Sequence, residues 1–407
     1  MVRSPHPPAV QAGNPLPSAA TLFLLSALLL QGAVGLHRGA YHPFAPTLLV
    51  AAVVLGGLGL RQVQRSAPGP TPEGALAVLI AGVFHGWAAP SWPLYTIGAP
   101  WPFELIAVGF LGLGATYTLR LRGPTSARVT AARRGLALAL FAAGCGLTLH
   151  LSPAPRIDVF TLQTEGAKAL LAGANPYASI AVPDTNPHNP AGPVPYTYPP
   201  LQLLLTTAGL LLGGDVRCAM AVALVVAALA LLLATPAGGP GAAADAPALS
   251  LMAGSSVFFV LEQSWVDSTG LGLLAAGTVL VQRRRCMAGA LVLGLAAATK
   301  QPLVVALPLL GLLPGLSRRH LAGAAAAAAT PWLLFAVADL RALFASTVAY
   351  LAALPPRPDA LTLFGKMAFA NYYFLVAGLF ALAAACSMGE ATAPPGAHSP
   401  VVGGAAP

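Results

Sequence analysis

Residues 217–236 read RCAMAVALVVAALALLLATP, and from Cys218 to Ala234 the run carries no charge before Pro236 closes it. Leu, Ala and Val follow one another without the period-2 alternation of a barrel strand, so a helix in apolar surroundings is the reading that satisfies every backbone N–H and C=O. Comparable runs occur at 21–36, 45–60, 75–91, 104–119, 135–152, 199–213, 247–262, 268–282, 287–299, 302–316, 321–338 and 371–387. Several are shorter than the ~20 residues a straight crossing needs. Of 407 residues 57% are hydrophobic and 8% charged, against about a quarter charged in a soluble domain. The expected fold is all-α: a polytopic transmembrane helix bundle.

The formal charge of +9 comes from basic residues of which 18 of 21 are Arg, set in short clusters between apolar runs. Without a Lys/Arg stripe interleaved with aromatics, this is a topology signal and argues against a nucleic-acid partner. The dense clusters are Arg61 with Arg65, Arg120 to Arg134, Arg283 to Arg285, and Arg318 with Arg319. If every run crosses, the second and third clusters fall on opposite faces. One run therefore stays on one side, and 199–213 is the candidate, being 15 residues long and opening Tyr198-Pro199-Pro200. It then lies as an interfacial or half-inserted helix.

That change predicts about 12 spans with all four clusters and both termini cytoplasmic. Residues 1–20 and 388–407 read as disordered tails, 21–134 as four N-terminal spans, and 135–387 as the main membrane domain with an extracytoplasmic loop at 153–216. Nine of 12 carboxylates then fall outside: Glu104, Asp158, Glu165, Asp184, Asp215, Glu262, Asp267, Asp339 and Asp359. Acidic residues contribute little to orientation, so their gathering on one face points to a reaction site.

Within the loop, Asp158 to Gly173 has helical periodicity with Gly173 as a stop, whereas Asn175 to Tyr198 is rich in Pro and Asn and reads as irregular. Asp158, just past the fifth run in PRIDVF, stands where a carboxylate can take a proton from an incoming hydroxyl. It equally suits a helix N-cap.

The order DVFTLQTEGAKALLAGANPY (158–177), YTYPPL (196–201), VLEQSWVDS (260–268) and GLAAATKQPLVVALPLL (294–310) resembles the GT-C-type integral membrane glycosyltransferases. The likeness is closest to the group that includes the polyprenyl-phosphate-mannose-dependent mannosyltransferases, and covers about 135–385. It implies a catalytic aspartate in the first large extracytoplasmic loop, juxtamembrane helices there, and a polyprenyl-phosphate sugar as donor. Carried over, it makes Asp158 the base and 199–213 a juxtamembrane helix. The acceptor is expected to be a lipid or cell-envelope glycan, with the active site on the extracytoplasmic face of the plasma membrane. The four spans before residue 135 are an extension without an assigned role.

Beside that reading, each further candidate has two. Lys300, followed by Gln301 and Pro302, either meets the donor phosphate or snorkels to the interface. Glu262, Gln263 and Asp267 bind sugar or acceptor hydroxyls, or form a solvated turn. Tyr177, Tyr196 and Tyr198 stack on a sugar or anchor at headgroup level. Asn175 fixes a turn, and Glu165 joins it among the candidate substrate contacts. Arg341, Arg357 and Lys366 belong to a segment, 339–368, expected as an amphipathic surface helix through Leu340, Leu343, Phe344, Val348 and Leu351.

One His and one Asp, His188 with Asp184, are too few for a metal site, and Cys145, Cys218, Cys286 and Cys386 lack metal spacing. No metal, nucleotide or redox cofactor is expected. A transporter or lipid flippase without chemistry is the competing class.

Overall fold

The computed structural model describes residues 17–37, 44–64, 93–98, 101–118, 126–183, 193–235, 241–354 and 371–391. The described chain is helical apart from one short ladder. In order it forms α1 (Ala19–His37), α2 (Ala45–Gln64), α3 (Trp101–Thr118), α4 (Ala127–Leu151), α5 (Asp158–Leu171), α6 (Pro176–Ser179), β1 (Ala181–Val182), β2 (Val194–Pro195) and α7 (Pro200–Gly213). There follow α8 (Arg217–Ala234), α9 (Gly241–Met252), α10 (Ser255–Glu262), α11 (Asp267–Gln282) and α12 (Cys286–Ala297). Two 3₁₀ stretches (Gln301–Ala306, Pro308–Leu312) lead to α13 (Arg318–Phe344), a π turn (Ala345–Ala349), α14 (Tyr350–Ala353) and α15 (Asn371–Ala391).

α4, α8 and the run Arg318–Ala353 are each long and apolar enough to cross a membrane; α10 and α11, bent by 119°, make a fourth if counted as one span. α13 turns Leu333, Leu334 and Val337 outward, Val337 being 89% exposed. Such a row of bare aliphatic side chains is stable against lipid rather than water. These helices mark a membrane protein.

Several elements differ from the sequence reading. The run 247–262 is two helices, parted at Ala253 and Gly254, where a side chain on Gly254 would strike Gln31 Oε1. The run 302–316 winds as 3₁₀ turns, with Pro302 and Pro308 each opening one. Proline suits a first turn but denies the previous one its N–H bond. The stretch 175–198, read as irregular, holds α6, whose first turn Asn175 caps through its side chain, and an antiparallel ladder pairing Ala181 with Pro195 and Val182 with Val194. Burial of Val182 and Val194 against Leu162 offsets the cost of ordering it. Within 339–368, Asp339 breaks the helix (φ −163°, ψ 90°), and its Oδ1 accepts from Ala342 N to cap a new start. Leu343 is buried while Leu340, Phe344 and Val348 are exposed, so this segment packs inward on one side. The run 75–91, Arg357, Asp359 and Lys366, most of the two terminal tails, and Asp184 with His188 lie outside the described residues.

Packing sets the site's surroundings. α1 lies against α2 and α15, α11 against α8 and α12, and α12 against α13. Two contacts are backbone-close because of glycine: a Cβ on Gly272 of α11 would sit 2.5 Å from Ala223 O, and one on Gly294 of α12 would strike the Ala324 carbonyl. Small residues at helix crossings serve the same end throughout membrane bundles. α5 packs on α7, which in turn packs on α8.

Candidate functional site

The corner between α10 and α11 carries three of the predicted residues. Glu262 ends α10 fully buried, its carboxylate accepting from the backbone N–H of Leu94 and, at 2.7 Å, of Tyr95. Gln263 Nε2 donates to Glu262 Oε2 at 3.2 Å. Ser264 turns the corner at φ 57°, a left-handed conformation that costs a non-glycine residue energy and persists where the surroundings enforce it. Trp265 meets Phe259 edge-on at 5.4 Å, fixing the corner from its apolar side. The segment that Glu262 holds reaches toward α5, because the Tyr95 hydroxyl donates to Arg156 O, two residues before Asp158.

Asp267 opens α11 and is buried, as is Lys300, which separates α12 from the 3₁₀ turns. Lys300 Nζ donates to both Asp267 oxygens, at 2.7 and 2.8 Å. The carboxylate thus supplies the lysine's counter-ion from within the fold. Beside it Gln301 Nε2 donates to Thr197 O at 2.7 Å, tying this break to the stretch between β2 and α7.

That stretch presents the tyrosines. Tyr196 is fully buried, its hydroxyl donating to Gln163 Oε1 of α5 at 3.0 Å. Its ring meets Tyr177 edge-on at 5.5 Å and Tyr198 at 5.9 Å, and Tyr177 meets Phe335 of α13 at 5.4 Å. Tyr177 donates to Tyr198 O at 2.9 Å, and Asn175 Oδ1 accepts from Tyr177 N at 3.1 Å. Burial pushes the phenol of Tyr177 well above its ordinary range, with Tyr196 adding to the shift. Burial does the same to Tyr196, partly offset by Thr206. Both stay protonated and act as donors, with packing roles rather than headgroup anchoring.

Asp158 begins α5, half-buried, its Oδ1 accepting from Val159 N at 2.8 Å. Lys300, Gln301, Asp267, Tyr196, Tyr198, Tyr177 and Asn175 form one connected set; Glu262 and Gln263 join through the corner. Glu165 stands apart, half-buried and paired with Lys168 at 2.9 Å one turn on.

Several polar residues here escaped the sequence reading. Arg217, fully buried at the start of α8, donates to Asp215 Oδ2 at 2.6 Å and to Ser152 O at 2.8 Å, and lies over the Phe160 ring at 4.9 Å. The signal was an Arg two residues after Asp215 at the head of an apolar helix. Gln163, Gln202, Thr206 and Thr269 offered no signal beyond being polar in apolar segments. Near the other end of α4, Arg134 pairs with buried Asp245 at 2.7 Å, and the Tyr117 hydroxyl donates to the same carboxylate at 2.8 Å. Among the described residues no group of three His, Cys, Asp or Glu side chains is placed to hold a metal.

Fold and site together define a helical membrane protein with a buried, partly charged polar network where one helix pair is broken and another gives way to 3₁₀ turns. The chain matches no family model, no curated protein and no solved structure.

Proposed function

We propose that the chain is a GT-C-type membrane glycosyltransferase, moving a hexose, mannose being the first to test, from a polyprenyl-phosphate donor to a lipid or glycan acceptor. In this reading the chain has about 12 spans, 153–216 lies on the extracytoplasmic side of the plasma membrane, and α7 rests in the outer leaflet. The observation that carries it is the position of Asp158: it opens a helix directly after the long α4, and that helix packs on α7 and bonds to the tyrosine stretch. The acceptor oxygen attacks the anomeric carbon, Asp158 takes its proton, and the bond from that carbon to the phosphate oxygen breaks. Polyprenyl phosphate leaves with the electron pair, giving inversion. In this reading donor binding draws Lys300 from Asp267 to the leaving phosphate, and Gln301 ties the break that carries it to Thr197.

A transporter or flippase is the second reading, favoured by the 119° break with the Asp267–Lys300 pair beside it. Broken helices with ionisable groups at the gap are a transporter device. Membranes containing wild type or Asp158→Asn, supplied with radiolabelled polyprenyl-phosphate sugars, separate the two. Transfer that disappears in the Asn variant supports the glycosyltransferase. Undiminished transfer rejects Asp158 as base, and gradient-driven uptake without transfer supports the transporter.

A further inference from the structure

Three of the four basic clusters meet at one end of the bundle. Arg134 of α4 donates to Thr235 Oγ1 at 3.4 Å, and Arg283, just past α11, donates to Leu233 O at 3.0 Å, so both reach the closing end of α8. Arg318 and Arg319 join Arg283, Arg284 and Arg285 because the chain returns beside α12. A Cβ on Gly315 would lie 3.5 Å from Cys286 Sγ, and one on Gly323 would lie 3.1 Å from Met287 Sδ. Leu316 and Leu321, on either side of Arg318 and Arg319, pack in the same apolar cluster as Val281 and Ala290, which flank the other three. All five arginines are exposed.

Elsewhere the chain gives its arginines internal carboxylates, Asp245 for Arg134 and Asp215 for Arg217. Among the described residues no carboxylate pairs with any of these five. Two features add to the cost. α12 and α13 both start here, so their dipoles reinforce the positive charge. Arg284 takes the left-handed position of a Schellman turn, its N–H bonding to Val281 O and that of Arg285 to Leu280 O; at φ 60° glycine would be free of strain. Strain and like charge kept together point to use. The adjoining surface is apolar, with Met287 and Leu291 of α12 and Leu312 before α13 all exposed. An acidic peptide would leave these side chains bare, whereas a phospholipid covers them with its chains while its phosphate meets guanidinium forks. We propose that the junction of 283–285 with 315–319 binds an anionic phospholipid, its phosphodiester held between the two arginine groups and an acyl chain running along α12. The site does not rest on the glycosyltransferase reading.

The test uses the full chain in detergent with an equimolar mixture of phosphatidylglycerol and phosphatidylcholine of the same acyl chains, the retained lipids being counted by native mass spectrometry. Wild type is expected to hold the glycerol lipid about ten-fold over the choline lipid. Arg318→Gln combined with Arg319→Gln is expected to bring that ratio to about two-fold or below. Arg61→Gln with Arg128→Gln removes as many exposed arginines outside the junction and is expected to leave it nearly unchanged. Arg284→Gly is the second variant: it relieves the turn while removing a charge, so the melting temperature is expected to rise as the lipid ratio falls. A merely structural arginine would not separate the two readouts. Parity in wild type, a ratio that survives in Arg318→Gln/Arg319→Gln, or an equal loss in the Arg61/Arg128 control overturns the proposal, the last assigning the effect to general surface charge. Release of the lipid by millimolar inorganic phosphate or by polyglutamate also overturns it, in favour of a free anion or an acidic protein.

Discussion

Asp267 and Lys300, 33 positions apart, form a buried two-pronged ion pair at 2.7 and 2.8 Å across the breaks that open α11 and end α12. Charge alone would place Lys300 at the membrane surface or against a ligand. Its carboxylate partner instead makes burial tolerable, because removing either member leaves the other uncompensated. The pair therefore sets the spacing of the two breaks before any ligand arrives.

Lys300→Met and Asp267→Asn are each expected to lower stability by about 3–5 kcal/mol. The double variant is expected to recover most of that loss, since no lone charge remains. Thermal unfolding in detergent, run as a double-mutant cycle, measures the coupling; additive losses would show that the two do not depend on each other.

Asp158→Asn is expected to behave oppositely. The amide oxygen still accepts from Val159 N, so the stability change stays within about 1 kcal/mol. Transfer is expected to fall by about 10²–10⁴-fold, the usual worth of a general base. Comparing melting temperature with turnover on one preparation checks both.

Glu262→Ala removes the acceptor for the Leu94 and Tyr95 amides. It is expected to cost about 1–3 kcal/mol and to free the 93–98 segment. The rate at which a cysteine introduced at Ile97 reacts with a water-soluble maleimide should rise, and an unchanged rate would show that Glu262 does not hold that segment.

Gly294→Ala forces α12 away from the Ala324 backbone, which cannot yield as a side chain would. A loss of about 1–3 kcal/mol is expected. Gly57→Ala, with open space around it, is the control and should be neutral or stabilising in the same unfolding assay.

Alkaline pH offers a readout of the tyrosines. Burial raises Tyr177 and Tyr196 above the phenol value of the unfolded chain. Their contribution to stability is complete below about pH 10 and declines as pH rises through the range between unfolded and folded values. The slope is up to about 1.4 kcal/mol per pH unit for each group. Tyr177→Phe combined with Tyr196→Phe is expected to flatten the loss between pH 10 and 11, and an unaltered slope would contradict it.

The helical class was legible because one-sided chemistry leaves no alternative: a run such as 217–236 satisfies its backbone in hydrocarbon only as a helix. α5 was legible for local reasons, with periodicity through Leu162 and Leu170 and a stop at Gly173, which takes φ 77°. What local pattern could not show depended on distant partners. The close approach at Gly254 is to Gln31, more than two hundred positions earlier, and the pairing of Lys300 with Asp267 obeys no spacing rule. The hydrogen bonds of Gln163 with Tyr196 and of Gln202 with Thr269 were hidden for the same reason: a lone amide in an apolar segment reads as tolerated until its neighbours are known. Among the predicted residues the structure brings together Asn175, the three tyrosines, Asp267, Lys300 and Gln301, and leaves Glu165 on the surface.

α1 packs against both α2 and α15, with Phe23 stacked on Phe380 at 6.1 Å. A ribosome delivers α1 and α2 long before α15, so for most of synthesis Phe23 has no Phe380 to stack on. A chain halted before residue 371 would leave that face of α1 without its last partner, a mark of unfinished assembly.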